Sequence, residues 1–317
     1  MLQFLIRRSV ASLIIIFLAT TLVFLIIHLL PGDPVILLLG EQGAANPEFV
    51  DKLRKKLKLD LPLHIQYYEW MKGLSHFDFG NSLQNDVPVI QELVRRIPRS
   101  LELIFGGLLI SILVGIPIGV LGAEHPNGLW GWISSTFAVL GFSSPSFVTG
   151  IVLIIIFSLS LRFLPSSGYV SFSENAMENL RYAFLPSITL GFGFVGVVIR
   201  MTRASLLDVI NKDYIRTARA KGLSEKGVLY KHALPNALIP VISILGVRAG
   251  NLLGGTVIIE SLFNWPGLSS LLVKGCFDRD YPMIQGTLLS IFVIFVLISL
   301  CVDLCHALLD PKLRQEY

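Results

Sequence analysis

Charged residues are scarce in this chain. Only 15% of its 317 residues are Asp, Glu, Lys or Arg, while 53% are hydrophobic. A soluble domain carries about a quarter charged residues, so the balance excludes an ordinary water-soluble fold. Cysteine is rare too: Cys276, Cys301 and Cys305 are too few for a disulfide framework. The six histidines, His28, His64, His76, His125, His232 and His306, never fall at His-x-x-x-His spacing, and no metal site is expected. No G-x-x-x-x-G-K-[ST] phosphate loop occurs, and Gly-Lys is absent as a dipeptide, so the chain does not hold ATP in the usual way. The G-x-S-x-G elbow and the H-E-x-x-H helix are missing as well. The expectation is a chain that is not an enzyme, carries no cofactor and binds no nucleic acid.

What is abundant is uninterrupted apolar sequence, and about 18 such residues suffice to cross a hydrocarbon core roughly 30 Å thick. Val10–Leu30 is one run. It follows Arg7 and Arg8 as a signal peptide would, but it exceeds the usual 7–15 apolar residues of a signal and leads into Pro31-Gly32-Asp33-Pro34 rather than a small-residue cleavage site. Leu103–Ala123, Ile133–Leu161, Phe184–Ile199, Leu238–Ile259 and Ile284–Leu309 complete six expected spans in an all-α membrane protein bound by lipid. The third is too long for an upright helix and is expected to kink at Pro145, whose ring removes a backbone donor. In the fourth, Gly191-Phe192-Gly193-Phe194-Val195-Gly196 has dinucleotide-fingerprint spacing but no preceding strand. Its glycines are expected to permit close helix packing.

Basic residues set the orientation. Arg200, Arg203, Lys212, Arg216, Arg219, Lys221, Lys226 and Lys231 lie between the fourth and fifth spans, and Arg7, Arg8, Lys312 and Arg314 flank the ends. The positive-inside rule puts both termini and that loop in the cytoplasm. The segment from Pro31 to Pro98 is also basic, but loops beyond about 60 residues translocate largely regardless of charge, so it is placed outside. Helical spacing there predicts Pro47–Leu57, capped by Asn46, and Pro62–Leu74. Cys301 and Cys305 share a helical face at the cytoplasmic end, where disulfides are rare.

The cytoplasmic loop Asp208–Pro240 reads as two short helices. Asp213 is the expected cap of Tyr214–Lys221, which Gly222 ends in a left-handed conformation; Ser224 caps Glu225–Ala233, which breaks near Pro235. Lys212, Arg216 and Arg219 share one face of the first helix and Ile215 and Ala218 another. Such a bent pair suits a docking element, and it equally suits a basic loop that merely obeys the positive-inside rule.

Resemblance decides between these. Arg216-Thr217-Ala218-Arg219-Ala220-Lys221-Gly222 followed by His232-Ala233-Leu234-Pro235 resembles the cytoplasmic loop of ABC importer permeases, E-A-A-x3-G-x9-I-x-L-P. Arg216, Thr217 and His232 depart from that pattern; Ala218, Gly222, Leu234 and Pro235 match it. Asp213-Tyr214 through Gly222-Leu223 is similar to the dipeptide, oligopeptide and nickel type. Further matches run in order along the chain: Asp78-Phe79-Gly80-Asn81-Ser82, Gly115-Ile116-Pro117-Ile118-Gly119, Asn264-Trp265-Pro266-Gly267-Leu268, Arg279-Asp280-Tyr281-Pro282 and Leu309-Asp310-Pro311. The resemblance implies a type I ABC importer permease of a bacterial cytoplasmic membrane, with residues 1–98 holding the first helix and external loop and 99–317 a five-helix core with coupling loop 208–236. It also implies a second homologous permease subunit, two ATP-binding subunits docked on that loop, and an extracytoplasmic substrate-binding protein. The cargo implied is a di- or oligopeptide, or else a nickel chelate, glutathione or an opine.

Two further sites follow from the residues. Arg248 is the lone charge at the middle of a span, where an arginine is unfavourable by about 2.5–3.5 kcal/mol unless it meets water or a partner; it is expected on the translocation pathway. Trp265, Pro266, Gly267 and Ser270 are expected at the external mouth, with Leu268–Phe277 a short helix and Trp265, Phe277 and Tyr281 at interfacial depth. The rival class, a secondary transporter or channel acting alone, needs intramembrane charges for ion coupling, and the spans offer only Arg248 and Asp303.

Overall fold

A computed structural model of the chain describes residues 2–29, 35, 47–56 and 59–309; the side chain of Arg248 and the expected cap Asn46 lie outside the described residues. Among the described residues there is no strand beyond an isolated bridge between Asn81 and Pro88. The helices in chain order are α1 Leu2–Leu29, α2 Pro47–Lys56, α3 Leu63–Ser75, α4 Val89–Glu124, α5 Leu129–Ser143, α6 Ser146–Leu153, α7 Ala176–Ile210, α8 Asp213–Ala220, α9 Glu225–Gly227, α10 Leu234–Leu262, α11 Leu268–Asp278 and α12 Tyr281–Leu309. Wide π turns extend α6 over Ile154–Ser160 and join α9 to α10 over Val228–Ala233.

Five helical stretches among the described residues are long and apolar enough to cross a membrane, and a sixth span results if α5 and α6 count as one. The expected kink at Pro145 is there and is larger than a kink: the helix breaks at Ser144-Pro145, and α6 with its π extension is bent by 109° from α5. Proline pushes the residue before it out of the α region, and Ser144 is extended at φ −84°, ψ 121°; Pro145 itself stands at the N-cap of α6 with φ −59°, ψ 136°. Pro186, by contrast, lies inside α7 without ending it. α7 starts well before its apolar run, where the Asn175 side chain caps it by accepting a hydrogen bond from the Glu178 backbone N–H, while the Glu178 carboxylate turns to Arg181 at 2.8 Å.

Backbone contact between spans follows from small residues. A Cβ on Gly191 would stand 2.6 Å from the Gly107 carbonyl oxygen, and one on Gly196 3.1 Å from the Gly141 Cα. Two of the three fingerprint-spaced glycines therefore bring α7 against α4 and α5, the packing role that close approach of membrane helices requires.

The contacts form two compact units. The first comprises residues 1–9, 100–265 and 297–317, and the second 10–99 and 266–296. In the first, Arg8 near the start of α1 pairs with Asp303 near the end of α12 at 3.1 Å. In the second, Phe24 of α1 meets Tyr67 and Trp70 of α3 at ring-centroid distances of 5.2 and 5.6 Å, and the Thr21 and Tyr67 hydroxyls are 2.8 Å apart. Elsewhere along α1, Leu13, Phe17, Leu18 and Leu25 are exposed, as apolar residues of a lipid-facing helix should be.

Candidate functional site

The loop between α7 and α10 is a folded element with its own core. Ile215 and Ala218 of α8 are buried with Val120 and Ala123 of α4, Leu206 of α7, Val228, Leu229 and Ala233 of the π stretch, and Ala237 of α10. The apolar side of α8 is thus sealed onto the ends of three long helices, while Asp213, Tyr214, Arg216, Thr217, Arg219, Ala220, Lys221 and Gly222 stay exposed. The face division read from spacing is the one observed.

Local chemistry sets the bend. Lys212, not Asp213, occupies the N-cap of α8, with no side-chain capping bond; Asp213 is the first helical residue. This corrects the expected cap, and the carboxylate still sits at the helix start, where it complements the dipole, and reaches Arg216 at 3.4 Å. Gly222 closes the helix at φ +81°, its N–H bonded to the Arg219 carbonyl at 2.9 Å. Ser224 then caps α9 by accepting from the Gly227 N–H at 3.3 Å. Across the bend, Arg219 donates two bonds to Glu225, at 3.0 and 3.2 Å. The pair is exposed and adds under about 1 kcal/mol, but its fork geometry fixes the angle between the two helices.

The expected break near Pro235 is absent. Proline removes the N–H that the Lys231 carbonyl would accept in an α-helix, and the preceding π turn, with i→i+5 bonding, lets the ladder step over that gap. The second half of the loop is therefore continuous with α10, and Leu234 packs on the loop core while Pro235 is exposed. Asn236 was not singled out from the sequence. Its side-chain N–H groups reach the Tyr214 hydroxyl at 3.1 Å and the His232 carbonyl at 3.0 Å, tying α8 to the foot of α10. Arg203 counts in the sequence only as one of the loop's basic residues, but its guanidinium bonds Ser135 and the Gly131 and Pro126 carbonyls of the turn before and into α5.

Trp265 is fully buried, edge-on to Tyr169 at 4.8 Å, with its backbone N–H on the Glu260 carbonyl at 2.8 Å. Trp265 is therefore packed inside the protein rather than on its surface, covered by a loop from elsewhere in the chain. Phe277 is exposed. In the second unit, Arg96 reaches the Gly267 carbonyl at 3.4 Å and the Ser270 hydroxyl at 3.3 Å, and Arg99 the Pro266 carbonyl at 3.5 Å. Asp280, buried, accepts from the Ser82 hydroxyl and the Leu83 and Met283 N–H groups, which anchors the 78–88 loop and starts α12. Burial of its sulfur pushes the Cys276 thiol up, although the residue as a whole is exposed. The thiol stays protonated near neutral pH.

Comparison with known proteins agrees along the whole chain. Residues 115–315 match the family described as binding-protein-dependent transport system inner membrane component, and residues 1–104 match its N-terminal membrane component family. The glutathione transport system permease protein GsiC of Escherichia coli strain K12 is 39% identical over 316 residues, covering all of both chains, and that of Salmonella typhi is equally similar. Two inward-facing structures of the MetNI methionine ABC transporter superpose with TM-scores of 0.57 and 0.56 at 18% and 20% identity, over 69% and 70% of this chain and 97% of each solved chain. At that identity they show the type I importer fold. The chain belongs to the inner membrane components of binding-protein-dependent transport systems, the multi-pass permeases of bacterial ABC importers.

Proposed function

We propose that this chain pairs with a second permease subunit to form the pathway by which di- or oligopeptides, or a related small peptide such as glutathione, enter the cell. The two ATP-binding subunits dock on loop 208–236, and an extracytoplasmic binding protein delivers cargo at the mouth near Pro266, Gly267 and Ser270. Both termini are cytoplasmic. The apolar core beneath α8 carries the reading: with Ile215 and Ala218 packed on α4, α7 and α10, a displacement of α8 moves the ends of three long helices together. ATP hydrolysis resides on the partner subunits. The similarity to glutathione permeases at 39% identity supports a peptide cargo. In proteoliposomes, uptake of a short peptide should require the ATP-binding subunits and ATP. Uptake that persists without them under an ion gradient overturns the importer reading in favour of a secondary transporter.

A further inference from the structure

The break between α5 and α6 opens a cavity of about 200 Å³ in the first unit, lined by Ser144, Ser146, Thr149 and Thr189 together with apolar walls from Phe194 and Leu252. All these residues fall within the apolar runs expected to span the membrane. Four hydroxyls gathered there have no solvent to face unless the cavity holds it, because non-helical backbone at membrane depth is tolerated only where it is buried in protein or lines a water-filled space. Their bonding is uneven. Thr149 and Thr189 turn their protons onto the carbonyls of Pro145 and Leu185 in their own helices, which leaves their oxygens as acceptors. The backbone N–H of Ser144 bonds the Leu140 carbonyl, but the hydroxyls of Ser144 and Ser146 make no hydrogen bond among the described residues and are open as donors. Acceptors and donors therefore converge beside an aromatic ring and an isobutyl group.

We propose that this cavity is an intramembrane cargo-binding subsite that takes one peptide unit with its side chain, the amide N–H on the threonine oxygens, the carbonyl on the serine hydroxyls and the side chain against Phe194 and Leu252. The volume sets the class, since pockets that enclose a drug-sized ligand run about 300–1,000 Å³. A space of about 200 Å³ receives a residue-sized segment, not a whole oligopeptide. It contacts features common to all peptides, so it selects for peptide character while leaving sequence preference to other parts of the system. Two glycines keep the space open: a Cβ on Gly255 would meet only Leu190 Cδ1 at 3.8 Å, and one on Gly193 only the Gly141 carbonyl at 3.5 Å.

The subsite rests on the peptide-importer reading, and the test separates the two. In the reconstituted complex with the three native cysteines replaced by serine, Ser144→Cys and Ser146→Cys are each exposed to a membrane-impermeant thiosulfonate with and without trialanine. At about nine-tenths occupancy, trialanine should slow labelling of both about tenfold by mass action. Equal labelling rates with and without trialanine, in a complex that still transports it, overturn the subsite and leave the importer reading standing. Failure of the parent complex to transport trialanine or S-methylglutathione with ATP takes both down. Should the cysteine variants not assemble, Gly255→Val in the native chain reads the same cavity, because its methyl groups enter the space without displacing backbone. Loss of trialanine transport in that assembled variant supports the subsite, and unchanged transport overturns it.

Discussion

Gly222 holds φ at +81° with nothing within 4 Å of where a side chain would begin. Substitution there acts through the backbone alone: a β-branched residue at positive φ is strained by about 1–2 kcal/mol and relieves the strain by reorienting the helix that follows. Gly222→Val should therefore stay in the membrane and lose both transport and peptide-stimulated ATP hydrolysis. Full retention of the two activities in purified complexes rules out this bend as the coupling element. Gly222 and Ser224 were legible in the sequence because their roles are set by their immediate neighbours. The N-cap of α8 lies one residue before the one its sequence suggests, since Asp213 suits either the cap or the first turn and no side-chain bond decides. The burial of Trp265 is not legible in the sequence, because it depends on Tyr169, which is far away in the chain.

At the scale of elements, α8 is only eight residues long and too short to be stable alone. Its order comes from Ile215 and Ala218 in the shared core, from the Arg219–Glu225 fork and from the Tyr214–Asn236 bond. Ile215→Asp places a carboxylate in that core at a cost on the order of 3 kcal/mol. It should detach α8 from the three long helices, so that the ATP-binding subunits hydrolyse ATP without peptide stimulation, if they copurify at all. Arg216→Ala changes an exposed position worth under about 0.5 kcal/mol to the fold and isolates any effect on docking. Normal coupling in Ile215→Asp refutes the lever. The two-faced pattern of α8 was readable from helical spacing, as was the short helix after Gly267. The π stretches were not, because they keep a helical pattern of apolar residues and differ only in which carbonyl each N–H finds. The place of the bend at Pro145 is readable from the length of its run, but its size of 109° is not, because a proline inside a helix can also be absorbed without a break, as Pro186 is.

For the whole molecule, charge was the most legible property, and it specifies two further outcomes. The Arg8–Asp303 pair brings the start of the first helix and the end of the last to one level, which agrees with an even number of spans. Epitopes at the two ends should both be accessible only from the cytoplasmic side, and a cysteine at Asp60 only from outside; opposite sidedness of the two ends breaks the six-span count. The same pair bears on Arg248. Asp303 is already engaged by Arg8, near the end of α12, and Glu260 accepts from Ser100 at 2.7 Å, three turns beyond Arg248 along α10. Neither acid stands at the level of Arg248. An arginine at mid-span is unfavourable by about 2.5–3.5 kcal/mol without water or an anion, and we propose that the anion is a group of the second permease or the cargo carboxylate, which guanidinium grips in a two-bonded fork. Arg248 stands four residues before Leu252 and seven before Gly255, both in the cavity wall, which favours the cargo. Arg248→Gln keeps hydrogen-bonding capacity and removes the charge. Uptake of trialanine should then fall by about tenfold or more, equivalent to roughly 1.4 kcal/mol, while uptake of its C-terminal amide should change little. Equal losses for the two peptides exclude recognition of the carboxylate and assign the charge to the partner permease.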